Sequence, residues 1–414
     1  MTHRRMRTAA AVLSACLALS PAAVRAFETV DELPFPSTGD FPAWEGDPRR
    51  PWTVYTYGGL MYDSNALRRT TGEESDIVAR LGAGGRTVNR IIGRQRLLLE
   101  GFGEYYKFDR FSEIDHFGYG LRGDLLWEIG NDVNGTVAYG RRHRHADLGE
   151  FRSETRVMTT SDRFLVDGGY RFAADWRIYA GAEHVNAKRD SDLTPELQTN
   201  TARGGLTYGT PLGNRLGVEV RGTRGEERIV DDLTATELTL DFDEREVAAV
   251  VTYGLTGQVR LNGRLGYTER EYEQTPQFNF SGGTYDATVE WLPTQKLIFS
   301  FATYRRVDSA IDIDASHVLR EGMGFGVRWA PTFKLSFTAR LLNEQRLYEG
   351  DRTAVTTGAP PRDETVRLWR FGAGWEPQRH WQVGAGLDLG ERTSNQLDRG
   401  YDYAQVMLNV RWTY

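Results

Sequence analysis

Sulfur chemistry is nearly absent from this chain of 414 residues, whose one cysteine is Cys16. Cys16 lies in an N-terminal stretch that reads as a cleaved leader, so neither a disulfide nor a thiol site is expected in the mature protein. Long apolar runs are also missing. After Ala26 no stretch of about eighteen apolar residues occurs, which excludes a membrane-spanning helix and leaves strands as the route into a bilayer. Histidine is sparse, and beyond the leader His116, His143, His145, His184, His317 and His380 are scattered along the chain. No nucleophile, base and orienting partner stand in a recognisable pattern, so no catalytic residues and no cofactor are assigned and the chain is not read as an enzyme. Nor is there a positive excess. The formal net charge is -6, and loss of Arg4, Arg5, Arg7 and Arg25 with the leader makes it -10, an acidic balance that argues against nucleic acid as a partner.

What is present begins with the leader. Arg4, Arg5 and Arg7 precede the apolar stretch Ala9 to Leu19, and small residues follow at Ala22, Ala23 and Ala26. This is the pattern of a secretory signal peptide over residues 1–26, with Val24-Arg25-Ala26 as the cleavage site. Leu13-Ser14-Ala15-Cys16 is a competing lipoprotein box, disfavoured by the short apolar stretch before it and the apolar residues after it. Residues 27–52 form a separate arm, with Pro34, Pro36, Pro42, Pro48 and Pro51 interleaved with Phe35, Phe41, Trp44 and Trp52. The arm reads as a periplasmic leader segment, with plugging of a lumen or docking of a partner as the alternatives.

From residue 53 to 414 the chain repeats. Three turns share a form: Trp291-Leu-Pro-Thr-Gln-Lys-Leu297, Trp329-Ala-Pro-Thr-Phe-Lys-Leu335 and Trp375-Glu-Pro-Gln-Arg-His-Trp381. Proline removes a ladder donor and belongs where pairing stops, and tryptophan prefers a membrane interface. Related short turns are read at Gly130-Asn131-Asp132, Ala173-Ala174-Asp175, Thr210 to Asn214 and Thr256-Gly257, with a weaker one near Arg86 to Asn89. Longer charged connections alternate with them, such as Ala146 to Glu154, Asp190 to Thr199, Gly225 to Thr234, Val307 to Asp314, Gly350 to Arg362 and Glu391 to Arg399.

Between turns the hydrophobic period is two. In the last strand Ala404, Val406, Leu408, Val410, Trp412 and Tyr414 take one face and Gln405, Asn409, Arg411 and Thr413 the other. Short turns alternating with long charged loops, on strands of twelve residues or more, predict a transmembrane antiparallel up-and-down β-barrel of the Gram-negative outer membrane. About eighteen strands are expected, with sixteen as the alternative, both chain ends periplasmic and the long loops extracellular. A soluble propeller, the rival all-β repeat, would use shorter strands of five or six residues. Trp291, Trp329, Trp375, Trp381, Trp412 and Tyr414 are the expected membrane-interface aromatics. Lipid and lipopolysaccharide are expected partners, and the aromatic C-terminus resembles the signal by which the barrel-assembly machinery recognises its clients.

The inner face is expected to carry Arg94, Arg96, Arg122, Arg260, Arg264, Arg328, Arg340 and Arg370, opposed by Glu100, Glu104, Asp124 and Asp388. Arginine holds its charge at any working pH and binds carboxylates or hydroxyls with a planar fork of donors. A lumen so lined would pass a polar, acidic solute, unless the charges simply pair across strands. His143 and His145, two apart, could share a metal, but two imidazoles alone make a poor site and solvated strand-end residues are the simpler reading, so no metal is assigned. Glycines at spacing two, including Gly101 and Gly103, Gly322, Gly324 and Gly326, and Gly384 and Gly386, lie in strands and are not phosphate loops. They are expected to widen the lumen or ease sheet curvature.

Three segments carry a resemblance. Tyr62-Asp63-Ser64-Asn65-Ala66-Leu67-Arg68-Arg69, Gly93-Arg94-Gln95-Arg96-Leu97 and Phe108-Asp109-Arg110-Phe111 resemble the EpsL family of exopolysaccharide-operon outer-membrane barrels. The resemblance spans most of the mature chain, through moderately specific motifs shared in part with other porin-like proteins. It implies a pore or accessory barrel in exopolysaccharide synthesis and export, with polysaccharide and periplasmic export proteins as partners. A general or sugar-selective diffusion porin is the alternative, and an outer-membrane hydrolase a third reading with little support in the residues.

Overall fold

The computed structural model describes residues 52–146, 148–149, 156–190, 196–231, 236–273, 275–309, 317–349 and 360–414. The leader and the arm up to residue 51 lie outside the described residues. Residue 52 already belongs to the first strand.

The first strands are β1 (Trp52–Asp63), β2 (Asp76–Arg90), β3 (Arg96–Phe108), β4 (His116–Ile129), β5 (Val133–His145) and β6 (Met158–Arg171). Next come β7 (Trp176–Arg189), β8 (Glu196–Gly209), β9 (Arg215–Asp231), β10 (Thr236–Thr256), β11 (Val259–Tyr272) and β12 (Phe280–Thr294). The last are β13 (Leu297–Ser309), β14 (His317–Thr332), β15 (Leu335–Glu349), β16 (Asp363–Gln378), β17 (Trp381–Ser394) and β18 (Tyr401–Thr413). Every strand pairs antiparallel with its neighbours in sequence, and β1 pairs with β18, so the 18-stranded sheet closes on itself. Closure removes both sheet edges and satisfies the backbone within the wall, as a bilayer demands. With strands about 4.8 Å apart and tilted by about 40°, eighteen of them enclose a backbone cylinder roughly 35 Å across.

Alternation sets the two faces. In β18, Gln405, Met407, Asn409 and Arg411 are buried while Val406, Leu408 and Val410 are exposed, which makes the even positions the lipid face. In β1, Tyr55, Tyr57 and Met61 turn inward and Val54, Leu60 and Tyr62 outward. Direct cross-strand pairs carry this assignment round the barrel. Trp291, Trp329, Trp375, Trp381 and Tyr414 are exposed on the outward face beside the short turns, and Trp412 is half-buried opposite Trp381. The three Trp-Pro segments share one device. The ladder skips between Trp291 and Thr294, between Trp329 and Thr332 and between Trp375 and Gln378, so the proline sits in a bulge that needs no donor.

Two expectations shift. The weak turn read at Arg86 to Asn89 is inside β2, which stays paired with β3 through Arg90. The chain turns instead at residues 91–95, where Gly93 takes a left-handed φ of 57°, the Ile91 N–H donates to the Gln95 carbonyl and the Gln95 N–H to the Ile92 carbonyl. The connection read from Gly225 is strand as far as Asp231, and β10 is the longest strand at 21 residues. Beyond the membrane both faces of a hairpin meet water, so charge there does not signal a loop.

The segment Asp63-Ser64-Asn65 sits on the closing seam. Ser64 exchanges hydrogen bonds with Ala404 of β18, its N–H donating at 3.0 Å and its Oγ accepting at 2.8 Å. Gln405 donates to the Asp63 carboxylate at 2.6 Å, and Asn65 donates to the Asp402 carbonyl at 3.0 Å. Asn65 also receives the Arg69 N–H at 2.8 Å, which folds the following turn back over the junction.

Candidate functional site: the inward-facing wall

Inward-facing aromatics lie flat against the wall because a glycine stands directly opposite. The pairs are Tyr55 with Gly84, Tyr57 with Gly82, Phe102 with Gly120, Tyr179 with Gly205, Phe242 with Gly225, Tyr304 with Gly322 and Tyr403 with Gly390. A Cβ on Gly322 would sit 2.6 Å from the Tyr304 ring, and one on Gly84 would sit 2.5 Å from the Tyr55 hydroxyl. These glycines therefore seat rings rather than widen the lumen. Gly101 and Gly103 face outward, against Leu121 and Phe117.

Most of the seated rings hold a guanidinium. Arg411 lies 4.3 Å from the Tyr55 ring centre, Arg80 4.6 Å from Tyr57, Arg270 4.3 Å from Phe242, Arg306 4.8 Å from Tyr304 and Arg68 3.9 Å from Tyr403. The geometry is that of cation–π contact, which orients the planar fork as well as attracting it. Carboxylates join several of these groups and their neighbours. Glu104 accepts from Arg80 Nε at 2.9 Å and from the Tyr57 hydroxyl at 2.8 Å. Arg264 bridges Glu219 at 2.8 Å and Glu246 at 2.7 Å, and Glu219 also takes the Tyr179 hydroxyl at 2.7 Å.

Toward the extracellular end of β14 to β17 the network is denser. Glu344 accepts from Tyr304 and from Arg346, the latter at 2.5 Å. Glu364 holds Arg362 at 2.6 Å and also Arg392. Arg392 reaches Gly149, in the β5–β6 connection, donating to its carbonyl at 2.8 Å. That contact brings a connection from the far wall against β17.

Arg96, Glu100, Glu104, Arg122, Arg260, Arg264, Arg328, Arg340, Arg370 and Asp388 all take inward register positions. Several are brought together: Arg122 with Asp124 at 2.7 Å, Arg370 with Asp388 at 2.8 Å, and Arg260 with Glu290 at 3.9 Å. Arg94 is not on the wall. It lies in the β2–β3 turn, bonded to the Gly130 carbonyl and, at 2.8 Å, to Asn131. Reading residues one at a time missed Arg80, Glu219, Glu246, Glu344 and Glu364, whose partners are fixed by register across strands.

The histidines do not converge. His143 bonds Thr160 and stacks on Tyr119, whereas His145 packs beside His116 with ring centres 4.9 Å apart. Among the described residues no group of three His, Cys, Asp or Glu could hold a metal ion.

Glu227 stands apart, on the part of β9 that rises past the membrane. It is buried beside Leu240, Phe242 and Tyr272, and neither of its carboxylate oxygens has a hydrogen-bond partner among the described residues. Burial pushes its pKa up to about 7, with Ser309 and Arg270 pulling the other way.

Comparison with known proteins follows the geometry. The FrpB iron transporter of Neisseria meningitidis has a similar structure, at TM-score 0.50 and 10% identity over 88% of this chain and 81% of its own. The fold is that of an outer-membrane barrel. OccK2 of Pseudomonas aeruginosa in complex with glucuronate aligns at TM-score 0.49 and 12% identity, over 88% of this chain and 98% of its own. OpdK of the same organism with vanillate aligns at 0.49 and 8%, over 88% and 99%. In sequence, residues 225–414 match the family described as Putative beta-barrel porin 2, a span from late β9 to the C-terminus. No curated protein matches in sequence.

Proposed function

We propose that this barrel is an outer-membrane channel for a polar polymer, acting in exopolysaccharide export. The observation that carries the reading is the closed wall of eighteen strands with fixed arginine, carboxylate and tyrosine groups on its inner face. A backbone cylinder of about 35 Å leaves room for an aqueous path, and pinned charges hydrate and guide a hydrophilic chain at little entropic cost. The segments at residues 62–69, 93–97 and 108–111, which resemble the EpsL family, support exopolysaccharide as the cargo.

Deleting the gene is expected to reduce extracellular polymer while the lipid-linked precursor is still made. Unchanged polymer secretion would refute the export role. A second reading, a diffusion porin, is favoured by the porin-family match over residues 225–414. It requires a large, permanently open conductance from the purified protein in planar bilayers.

A further inference from the structure

Arginines on the inner wall are neutralised unevenly along its height. Where two arginines are directly opposed in the upper and middle wall, a carboxylate serves them. Arg306 and Arg320 share Asp308 at 3.2 and 3.4 Å. Arg340 and Arg370 have Asp388, 2.8 Å from Arg370. Arg203 and Arg221 have Asp167 at 3.5 Å and Glu219 at 3.5 Å respectively.

At the mouth that carries the short turns the rule fails. Arg90 is directly opposed to Arg96, and Arg171 to Arg177, all on inward positions. Arg215 follows two strands on, opposite Gly209. Among the described residues, Arg90, Arg96, Arg177 and Arg215 have no carboxylate within 4 Å, and Arg171 has only the exposed Asp132 at 3.8 Å. Arg177 lies against Gly169, its Nη2 on the neutral Asn134 amide at 2.9 Å, so the fork is placed without being neutralised. Directly opposed like charges are destabilising, and a fold that supplies counter-charges elsewhere leaves these for a mobile anion. Guanidinium forks match carboxylates two bonds at a time.

We propose that this arc, Arg90, Arg96, Arg171, Arg177 and Arg215, is the entry site for an anionic, carboxylate-bearing saccharide polymer arriving from the periplasm. The two opposed pairs lie four strands apart, about 19 Å across the strands, farther than one sugar unit reaches and suited to a chain with repeating charges. The site deepens the export reading and rests on it for the side of entry.

The test uses the full-length mature protein and two probes of similar size, polygalacturonate and neutral dextran. In oriented planar bilayers, polygalacturonate added on the short-turn side should block the current at least tenfold more often than from the other side. The asymmetry should shrink with salt and be absent for dextran. Arg177→Gln with Arg215→Gln should cut the block rate about tenfold, Arg177→Lys should retain part of it, and Lys107→Gln, which removes an outward charge, should leave it unchanged. Equal block from both sides, equal block by dextran, or an unaffected double variant overturns the proposal. Equilibrium binding of fluorescent polygalacturonate to the detergent-solubilised protein separates the two readings. Binding lost in the double variant, without any conductance, keeps the site and sinks the channel. If polygalacturonate binds only after the acidic arm, residues 27–51, is removed, the arm is the occupant and the polymer site is refuted.

Discussion

Substituting Gly322 by alanine isolates what the seated rings do. The new Cβ would stand 2.6 Å from Tyr304 Cζ and 2.7 Å from its hydroxyl, where ordinary carbon contacts begin near 3.5 Å. Gly322 lies in the middle of β14, paired on both sides, so the backbone cannot yield and the ring must lift by about 1 Å. Lifting costs about 1–3 kcal/mol in overpacking. It also removes the Tyr304 hydroxyl from Glu344, about 1.5–3 kcal/mol for a bond to a charged group, and takes the ring from beneath Arg306. Part of this returns when the freed hydroxyl meets lumen water, leaving an expected loss of about 3 kcal/mol. The assay is urea unfolding of the barrel refolded into lipid vesicles, read by tryptophan fluorescence. Gly140→Ala is the control, because nothing lies closer to that Cβ than a carbonyl at 3.9 Å. In a Tyr304→Ala background Gly322→Ala should cost nothing further. A single Gly322→Ala variant within about 0.5 kcal/mol of the parent would refute the seating argument.

Three further outcomes are expected. Glu364→Gln leaves Arg362 and Arg392 without their shared carboxylate and should lower stability by about 3–5 kcal/mol in the same assay, more than the loss from Arg392→Met. Glu227 binds its proton more tightly folded than unfolded, so it stabilises the extracellular hairpin below about pH 4.5, and this contribution fades as pH rises through about 7. Hydrogen-exchange protection factors in β9 and β10, corrected for the base-catalysed intrinsic rate, should therefore be higher at pH 5 than at pH 8, a difference that Glu227→Gln abolishes. Brominated lipids should quench Trp329 and Trp375 most strongly when the bromine lies near the headgroups, and uniform quenching at all depths would contradict their place in the interface.

The barrel was legible in the sequence because lipid imposes a strict period of two. The Trp-Pro turns were legible because proline can stand only where the ladder skips a donor. The turn at residues 91–95 was not, since Gly93 is its sole marker and the apolar pair Ile91 and Ile92 hides it, so the turn reads a few residues early, at Arg86 to Asn89. The inner face could be assigned residue by residue, but not its chemistry. That Tyr304 needs a glycine at 322, or that Arg264 joins Glu219 to Glu246, depends on registers between strands up to 45 residues apart. Arg94 was placed on the wall by parity and lies off it because the turn comes later than expected and β3 begins only at Arg96.

The clasp at Asp63, Ser64 and Asn65 bears on how this molecule comes apart. Every other junction in the wall joins neighbours in sequence and re-forms locally, whereas the β1–β18 junction joins segments some 340 residues distant. It is the last contact an assembling chain gains and the first an opening one would lose. Side chains that bolt its outer end raise the barrier to opening without altering the rest of the sheet. Lifetime in the membrane is then governed at a single hinge line, and weakening Asn65 or Gln405 should shorten that lifetime by the same factor as it lowers the folding equilibrium while leaving the rate of assembly unchanged.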